Sequence, residues 1–356
     1  MSTSVSIGIA GYGYWGPNLA RNFDSLPGAE LVAVCDPNPA RLVHLRKTNP
    51  GVQPFAEFHE MLADPRIDAV AVATPVATHH NLAKAALMAG KHVLVEKPMA
   101  GSVEDCRDLI ETAAFHGLTL MVGHTYLYSE AVRKILEIIA SGDIGEVRYV
   151  NCQRLNLGLY QQDINVAWDL APHDLSIILR VMGTLPNTVN CQGNAHVNPE
   201  VEDVTNISLG FPGRGFATIQ SSWLEPRKVR QMTFVGTKKM IIYDDLEPLG
   251  KLRIYDTRVD CPPHYDSFAA FQYSYHYGEC RIPHLAQTEP LHRMCGHFVD
   301  CIRSKTRPET SGEDGMEVVR ILEACSESLR MRGGPVSLPG PDMPPLPTER
   351  GMTAAL

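Results

Sequence analysis

A glycine-rich loop near the N-terminus restricts the fold of this chain more than any other feature of its sequence. Gly11, Gly13 and Gly16 have the spacing G-x-G-x-x-G within GIAGYGYWGPNLARNF. They follow a β-branched run, VSIGIAG, and precede Pro17, which suits the first turn of a helix because that position needs no N–H donor. In this pattern the glycines permit a tight turn, a close approach of the backbone to a pyrophosphate, and close packing of helix on strand. The loop therefore predicts a dinucleotide-binding α/β unit.

The second predicted strand, AELVAVCD, ends in an acidic residue that bears on the choice of dinucleotide. Asp36 follows Gly16 by 20 residues, and a carboxylate there can accept hydrogen bonds from ribose hydroxyls and repel a 2′-phosphate. This favours NAD over NADP, although Arg41 is close enough in sequence to be recruited to a phosphate. Tyr14 and Trp15, inside the loop, are further candidate cofactor contacts. The alternative interpretation is that the glycines only form turns and that Asp36 caps the next helix.

The pattern of apolar residues changes near residue 126. Before it, strand-like runs such as IDAVAVAT and KHVLVEKP are continuously apolar, so both faces should be buried in a parallel sheet with helices on each side. After it, strand-like runs follow one another without regular helices between them, which favours an antiparallel sheet. We predict an α/β Rossmann domain with a doubly wound parallel sheet over 1–125, a C-terminal α+β domain over 126–332, and a Pro-rich tail over 333–356.

Composition excludes several classes of protein. The 356 residues favour two domains, and a net charge of −8 argues against a surface for nucleic acid or an anionic membrane. No apolar run approaches the roughly 20 residues that a membrane-spanning helix needs. The N-terminus shows no basic segment before an apolar stretch, so we expect no export signal. The nine cysteines form no C-x-x-C pair and are interpreted as reduced thiols of a cytoplasmic protein.

Histidines and cysteines are frequent between Cys261 and Cys301, and this raises the question of a metal site. Their spacings fit no zinc-binding pattern, so no metal site is predicted. The residues concerned, besides those two cysteines, are His264, His276, Cys280, His284, His292, Cys295 and His297.

A lysine closes the strand KHVLVEKP at the edge of the sheet where ligands bind. Because ligands of open parallel sheets lie beyond the carboxyl ends of the strands, Lys97 is placed near the cofactor by topology. A lysine there can donate a hydrogen bond to a substrate oxygen and relay a proton, and Pro98 can hold a sharp or cis turn that aims it. The alternative is an exposed surface lysine.

A predicted helix in the second domain, NVAWDLAPHDLSIILRVMG, carries a histidine and a carboxylate one turn apart. Asp169 and His173 are four residues apart and share a face with Arg180, opposite an apolar stripe. A histidine paired with a carboxylate can act as a general base, with Asp169 orienting the ring. Asp174 points to another face and is expected to cap or pack. The alternative for the whole face is simple exposure to solvent.

A second patch of aromatic and basic residues could contact a substrate. Arg154, Tyr160 and Arg227 lie at strand or loop positions, and the segment 262–279 is rich in tyrosine and histidine. Tyrosines can stack on sugar rings and arginines can bind diphosphates. Packing within the sheet or at an interface is the alternative interpretation.

Taken together, the glycine loop, E-K-P at a later strand and D-x-x-x-H in a helix of the second domain resemble the Gfo/Idh/MocA family, the relatives of glucose–fructose oxidoreductase and inositol dehydrogenase. The resemblance extends over nearly all of the chain except the Pro-rich tail. It implies that the second domain has a large open antiparallel sheet, through which relatives often form dimers or tetramers. It also implies that Lys97, Asp169 and His173 are the catalytic residues.

The resemblance also assigns candidate residues around the cofactor and the substrate. Thr74 and Pro75 in VATPVATHH match the turn that borders the nicotinamide, His79 follows it, and Glu96 would lie near a cofactor ribose. The stretch GHTYLYS, which contains Tyr126 as a candidate substrate contact, stands where many relatives have G-[FY]-N and departs from that pattern at His124 and Thr125.

The segments GYGYWGPN and WDLAPHDLSI further resemble the branch that acts on nucleotide-linked sugars and amino sugars in glycan or antibiotic pathways. The implied function is an NAD-dependent dehydrogenase of a secondary sugar hydroxyl, or the reverse ketoreduction, in a cytoplasmic homodimer or homotetramer. Two alternatives stay open. One is an inositol, aminocyclitol or free aminoglycoside dehydrogenase, and the other is a regulatory protein that binds NAD without turnover.

Overall fold

The structure, a computed structural model, describes residues 4–161, 163–213, 215–260 and 273–338. The helices, numbered in chain order, are α1 (Gly16–Asp24), α2 (Pro39–Thr48), α3 (Phe58–Leu62), α4 (His79–Met88), α5 (Val103–His116), α6 (Glu130–Ala140), α7 (Val166–Met182), α8 (Pro290–Ser304) and α9 (Gly312–Arg330). The strands are β1 (Val5–Ala10), β2 (Ala29–Cys35), β3 (Gln53–Phe55), β4 (Ala69–Val72), β5 (His92–Glu96), β6 (Leu120–Gly123), β7 (Val147–Leu157), β8 (Thr188–Asn194), β9 (Val204–Gly210), β10 (Phe216–Ser222), β11 (Leu224–Gly236), β12 (Met240–Asp244), β13 (Leu252–Asp260), β14 (Ser274–Arg281) and β15 (Val336–Ser337).

The first six strands form one parallel sheet in the order β3-β2-β1-β4-β5-β6. Strands β4 and β6 are buried along their whole length, as their uninterrupted apolar runs predict. Helices α1 and α4 follow β1 and β4, and the carboxyl ends of all six strands meet at one edge. This confirms the predicted Rossmann architecture and places the glycine loop and Lys97 at the same edge.

The other nine strands form a second sheet, in the order β14-β13-β12-β11-β7-β10-β9-β8-β15. It is mostly antiparallel, as the sequence predicts. The exception lies at its centre, where β7 and β10 pair in parallel, with Asn151 opposite Thr218. The two strands are adjacent in space but are separated along the chain by α7, β8 and β9, and this long connection permits the parallel pairing.

Helix α7 lies across the second sheet and carries the Asp169 and His173 positions. Its first turn is capped by Asn165, whose side chain accepts a hydrogen bond from the amide of Trp168, and it ends at Gly183 in the left-handed conformation. Helix α7 packs against β7 and β10 and also contacts the last helix, α9. The helix that bears the candidate catalytic residues is therefore fixed by contacts with both the sheet and α9.

The chain returns to the first domain after the second sheet. The hydroxyl of Thr310 donates to the carbonyl of Val122 at 2.7 Å, and α9 packs against α5. The predicted division at residue 125 falls between β6 and α6, and it stays a prediction. Of the predicted tail, Val336 and Ser337 pair with β8, while residues 339–356 lie outside the described part of the chain. None of the described helices is long and apolar enough to span a bilayer.

Candidate active site

The glycine loop has the geometry that a dinucleotide requires. Gly11 has a φ of +93°, and a Cβ added there would lie 2.5 Å from the carbonyl oxygen of Ala73. A Cβ at Gly16 would collide with the carbonyl of Gly11, since α1 begins against the loop. At Gly13 only the flexible end of Arg41 lies near, at 3.6 Å. Gly11 and Gly16 are thus needed by the fold, whereas the space beside Gly13 is filled only by the end of a flexible side chain, which a bound pyrophosphate can displace.

Asp36 lies behind this loop and is 1% exposed. Its carboxylate accepts hydrogen bonds from the backbone amides of Tyr12, at 2.7 Å, and Asn38, at 2.9 Å. The guanidinium of Arg41 completes an ion pair with it at 3.1 Å. Asp36 therefore fixes the conformation of the loop in addition to any contact that it makes with a ribose.

The two aromatic residues of the loop have different environments. Tyr14 is 85% exposed, whereas the indole nitrogen of Trp15 donates to the carboxylate of Glu96 at 2.6 Å. Burial raises the pKa of Glu96 to about 7, against the opposing effect of that hydrogen bond and of the Lys97 charge. The end of β5 and the start of α1 are thus joined through a carboxyl group that titrates near neutral pH.

A buried histidine packs against the backbone of the turn that follows β4. His79 is 1% exposed, and its two ring nitrogens lie 2.8 Å from the carbonyl oxygens of Thr74 and Pro98. The hydroxyl of Thr74 accepts a hydrogen bond from Thr78, and Pro75 is exposed. Because both ring nitrogens of His79 face backbone carbonyls, it supports the turns and offers no free nitrogen to a ligand. Thr74 and Pro75 remain the candidate contacts of this turn.

Lys97 reaches from the end of β5 to helix α7. Its amine donates to the backbone carbonyl of Asp169 at 2.7 Å and lies 3.4 Å from the Asp169 carboxylate. The peptide bond between Lys97 and Pro98 is cis. The other carboxylate oxygen of Asp169 accepts a hydrogen bond from the indole of Trp223 at 3.2 Å. The end of β5 and the first half of α7 therefore meet, with the side chain of Lys97 in contact with Asp169.

His173 lies one turn further along α7 and is half-buried. Its Nδ1 is buried without a hydrogen-bond partner, and the expected hydrogen bond to Asp169 is not formed, because that carboxylate is bound to Lys97 and Trp223. The ring instead packs on Tyr126, with 4.8 Å between ring centroids. Burial, and then the positive charges of Lys97 and Arg154, hold the pKa of His173 well below its ordinary value. His173 is therefore a neutral imidazole at physiological pH.

Arg154 is buried next to the ring of Tyr126 and is bound on several sides. It forms a two-pronged ion pair with Asp174, at 2.9 and 2.8 Å, and its guanidinium lies 4.8 Å from the ring centroid of Tyr126. Asp174 packs inward, as predicted. The Tyr126 hydroxyl receives hydrogen bonds from Arg154, at 3.3 Å, and Arg230, at 3.0 Å, and donates to Asp245 at 3.3 Å. Arg154 thus positions Tyr126 against His173.

The remaining predicted substrate contacts lie further along the second domain. The ring of Tyr160 packs on Trp223 at 5.2 Å between centroids, and its hydroxyl is buried without a partner. Arg227 is exposed on β11 and lies outside the cluster around Tyr126. Of the Tyr- and His-rich segment, Tyr275 and Tyr277 stack at 6.5 Å on the exposed strand β14, and residues 262–272 lie outside the described part.

His124, where the sequence departs from the family pattern, is 1% exposed, and both of its ring nitrogens lack hydrogen-bond partners. Burial lowers its pKa to about 4, so it is a neutral ring at the end of β6.

A cleft of about 370 Å³ opens next to these residues, between the turn after β4 and the start of α7. Three carboxylates and no lysine or arginine are among its lining residues, which are Val76, Ala77, Gly101, Asp163, Ile164, Asn165, Trp168, Glu200, Val201, Glu202 and Ser326. Within the described ranges, no three or more His, Cys, Asp or Glu side chains are grouped so that they could hold a metal ion. Cys261 and His264 of the region considered for a metal lie outside those ranges.

Sequence reasoning missed Trp223, Arg230 and Asp245, which complete the surroundings of Asp169 and Tyr126. Arg230 lies directly opposite Arg154 on the neighbouring strand, so the strand register brings both guanidinium groups to one phenol oxygen. No local motif in the sequence marks that register. Only an alignment of the runs EVRYVNCQRLNLG and VRQMTFVGT as partners would have shown it.

Comparison with known proteins gives two family matches, one over the parallel sheet and one over part of the second sheet. The profile of the GFO/IDH/MocA oxidoreductase family with NAD-binding Rossmann fold matches residues 5–124, and the GFO/IDH/MocA C-terminal domain matches residues 132–242. The uncharacterized oxidoreductase YrbE of Bacillus subtilis is 25% identical over 95% of this chain and 98% of its own length. The 2,7-anhydro-N-acetylneuraminate hydratase of Escherichia coli is 28% identical over 70% of each chain.

Solved structures share the fold over almost the whole length. An oxidoreductase domain protein from Kribbella flavida superposes with a TM-score of 0.80 at 22% identity, covering 95% of this chain and all of that one. The UDP-N-acetylglucosamine 3-dehydrogenase GnnA from Acidithiobacillus ferrooxidans superposes with a TM-score of 0.76 at 22% identity, covering 92% of this chain and 99% of that one. At these identities the likeness concerns the fold alone.

Proposed function

The chain belongs to the GFO/IDH/MocA family of oxidoreductases, and from this premise we propose that it is an NAD-dependent dehydrogenase of a secondary hydroxyl on a sugar. The sugar is a nucleotide-linked sugar or amino sugar of a glycan or antibiotic pathway, and the reverse ketoreduction uses the same site. The observation that carries the proposal is the contact between the Lys97 amine and Asp169, one helical turn before His173.

The residues divide the proton chemistry between them. A nicotinamide dinucleotide held at the loop of Gly11 and Gly13 would supply the acceptor for the hydride that leaves the carbon bearing the hydroxyl. Neutral His173 takes the proton of the substrate hydroxyl, and the Lys97 ammonium donates a hydrogen bond to the same oxygen and stabilises its developing negative charge. Asp169 holds the Lys97 amine, and Trp223 holds Asp169. Tyr126, fixed by two arginines, supports the His173 ring.

Three further observations support a sugar, and in particular an amino sugar, as the substrate. The Escherichia coli hydratase is named for a derivative of N-acetylneuraminate, which is an amino sugar. The lining of the neighbouring cleft carries the carboxylates of Asp163, Glu200 and Glu202, which can accept hydrogen bonds from sugar hydroxyls or amino groups. The ring of Tyr160 beside Trp223 offers an aromatic surface on which a sugar ring can stack.

We propose that the protein acts in the cytoplasm as a homodimer or homotetramer formed through the second sheet. Aromatic side chains are exposed there although they lie within strands. Tyr149 and Phe216, partners across β7 and β10, are 43% and 42% exposed, and Tyr275 and Tyr277 of β14 are exposed further. Such a surface is typical of an interface between subunits.

The test compares turnover with cofactor binding. Purified protein is offered UDP- and dTDP-sugars, inositols and aminoglycosides with NAD, and the absorbance of NADH is followed. Turnover with a nucleotide sugar is expected, and His173→Ala and Lys97→Ala should each lower kcat by about 10² to 10⁴ while NADH still binds. His116→Ala, an exposed histidine at the end of α5, is the control and should change neither.

Near-normal turnover in both catalytic variants would contradict the assignment of the two residues. Binding of NADH without turnover of any substrate would favour the alternative of a regulatory protein. Turnover of inositols or free aminoglycosides alone would favour the alternative of a dehydrogenase of those compounds over a nucleotide-sugar dehydrogenase.

A further inference from the structure

We propose that His124 is a positioning residue for the catalytic base: through one buried water it accepts a hydrogen bond from Nδ1–H of His173 and so keeps Nε2 of that ring free to take a proton. This inference deepens the proposed function and rests on it only in assigning His173 as the base. His124 acts on the reaction through His173 alone, because its side chain is 1% exposed and out of reach of a substrate.

The position of the ring proton decides which nitrogen of His173 can act as the base. A neutral imidazole has one N–H and one nitrogen that accepts. Nδ1 of His173 is buried, so Nε2 is the nitrogen that a substrate can reach. For Nε2 to accept the proton of a hydroxyl, the ring proton has to be on Nδ1. Within the described part of the chain Nδ1 has no hydrogen-bond partner, and a buried N–H without one is unfavourable. His173 therefore needs an acceptor at Nδ1.

The carboxylate and the hydroxyl that lie next to His173 are already bound by other groups. The carboxylate of Asp169 lies 3.4 Å from the amine of Lys97 and accepts a hydrogen bond from the indole of Trp223 at 3.2 Å. The hydroxyl of Tyr126 donates its one hydrogen to a carboxylate and receives hydrogen bonds from two arginines. Neither group is free to accept from Nδ1–H.

A neighbouring imidazole is the acceptor that is left. Besides burial, which has the largest effect, four groups lower the pKa of His173: Lys97, Arg154, His124 and Arg230. Lysine and arginine side chains can only donate hydrogen bonds, whereas a neutral imidazole has a nitrogen that accepts. Both ring nitrogens of His124 are buried without a partner. Of these four groups, His124 alone can therefore accept a hydrogen bond from His173.

The sheet places His124 next to the residues that contact α7. Strands β5 and β6 are paired up to their last residues, so Lys97 and His124, which follow them, leave the sheet side by side. Lys97 reaches α7 one turn before His173. Tyr126, two residues after His124, packs its ring on that of His173 with 4.8 Å between centroids. No direct hydrogen bond joins the two imidazoles, so a single water is the bridge that satisfies both.

The charges around His124 keep it in the form that can accept. Burial lowers its pKa to about 4, against the attraction of the Asp314 carboxylate and together with the charges of Lys97 and Arg180. Asp314 is itself paired with Arg180 at 3.3 Å. A protonated His124 would have no lone pair to offer and would repel the Lys97 ammonium. His124 is thus a neutral acceptor throughout the physiological range of pH.

The first measurement locates the proton on His173 without any substrate. Nitrogen NMR of the isotope-labelled, full-length protein separates a ring nitrogen that carries hydrogen from one that does not, and His173→Gln identifies the signals of His173 by their loss. The proton is expected on Nδ1 in the wild type. In His124→Phe it should move to Nε2, because Nε2–H can donate to solvent. His124→Gln, which keeps an acceptor, should retain Nδ1–H. Thr125→Val is the control and should change nothing, because the Thr125 hydroxyl faces Met294 of α8.

The second measurement separates positioning from packing. His124→Phe should lower kcat by about 10-fold, the size of one lost hydrogen bond, and should change the Kd of NADH less than about 3-fold. Its melting temperature should not fall, because phenylalanine removes two buried nitrogens that lack direct partners. His124→Leu is a second apolar variant for the case that the larger ring does not fit. His124→Gln should recover most of kcat.

The inference is overturned if the wild type carries the His173 proton on Nε2, or if the proton stays on Nδ1 in both His124→Phe and His124→Leu. An equal loss of kcat in all three His124 variants, together with a lower melting temperature, would also overturn it, since His124 would then only pack. The expected shift of the proton in a protein that turns over no substrate would uphold the positioning of His173 and overturn the proposed function alone.

Discussion

The amine of Lys97 donates a hydrogen bond to the backbone carbonyl of Asp169 at 2.7 Å, and this contact joins the carboxyl end of β5 to helix α7. It links a strand of the parallel sheet to a helix that lies on the other sheet. Because Asp169 is also held by Trp223, its carboxylate fixes the lysine and not the histidine. The pKa of His173 is therefore set by burial and by nearby positive charges and not by a carboxylate. The pH dependence of the reaction should reflect this pKa.

The pH profile of kcat/KM should show no fall on its acid side near pH 6.5, where an ordinary histidine becomes protonated. Burial and the charges of Lys97, Arg154 and Arg230 lower the pKa of His173 well below 6.5, so kcat/KM should stay level as pH falls through 6.5. Arg230→Gln removes one of those charges and should move the acid limb towards higher pH. Arg227→Gln, on the same strand but exposed, should leave it in place. An acid limb at 6.5 in the wild type would show that His173 does not have the proposed role, and no movement in Arg230→Gln would show that Arg230 does not lower the pKa of His173.

Removing one member of the buried ion pair of Arg154 and Asp174 should lower the free energy of unfolding more than replacing both members. Asp174→Ala leaves the guanidinium buried without its counter-ion and should lower the free energy of unfolding by about 3–5 kcal/mol, measured by urea denaturation. Replacing both partners, as in Arg154→Met with Asp174→Leu, should cost less than Asp174→Ala alone. Glu137→Ala breaks the exposed pair with Lys134 and should cost about 1 kcal/mol or less. Equal losses for buried and exposed pairs would contradict this account.

The stability of the protein should depend on the protonation of Glu96. Its pKa is about 7 in the folded chain and 4.5 in its ordinary state, so protonation favours the folded state. The stabilising effect is fully present below pH 4.5 and is lost as the pH rises through about 7. Glu96→Gln stays neutral and can still accept the hydrogen bond from Trp15. The free energy of unfolding of this variant, relative to wild type, should therefore increase between pH 5 and 8.

Denaturation of both proteins at several pH values checks this expectation, with Glu137→Gln as an exposed control that should follow the wild type. A constant difference between Glu96→Gln and wild type over that range would mean that Glu96 ionises at an ordinary pKa.

Two glycines of the loop should respond differently to the same substitution. Gly16→Ala places a methyl group against the carbonyl of Gly11 and should lower the melting temperature. Gly13→Ala meets no protein atom closer than 3.6 Å, so it should fold normally but weaken NADH binding, because the methyl group occupies the space of the pyrophosphate. Thermal unfolding and NADH titration of both variants separate the two effects. A stable Gly13→Ala that binds NADH as wild type does would exclude the loop as the pyrophosphate site.

The parallel sheet and the meeting of its functional groups could be predicted from the sequence because they depend on local signals. The glycine spacing, the apolar runs and the position of Lys97 at the end of a strand all act within a few residues of one another. Asp169 and His173 lie on one helical face for the same reason.

The partners of these residues could not be predicted, because they depend on long-range register. Asp169 and Trp223 are 54 residues apart in the chain, and the opposition of Arg154 to Arg230 requires the pairing of β7 with β11. The expected Asp169–His173 hydrogen bond failed for this reason, since the competing donors come from distant segments. The parallel pairing of β7 with β10 was also missed, because an antiparallel arrangement is the simpler solution for successive strands.

That parallel pairing has a consequence for how the enzyme becomes active during folding. Residues 151 and 218 can become neighbours only after the 67-residue excursion through α7, β8 and β9 has closed, and closing so long a segment is slow compared with forming a hairpin. Since α7 is itself part of the excursion, the histidine and carboxylate reach their places in the same event that completes the middle of the sheet. A partly folded chain in which only the parallel sheet has formed therefore has its glycine loop in place. It cannot transfer a proton until the second sheet has positioned Asp169 and His173.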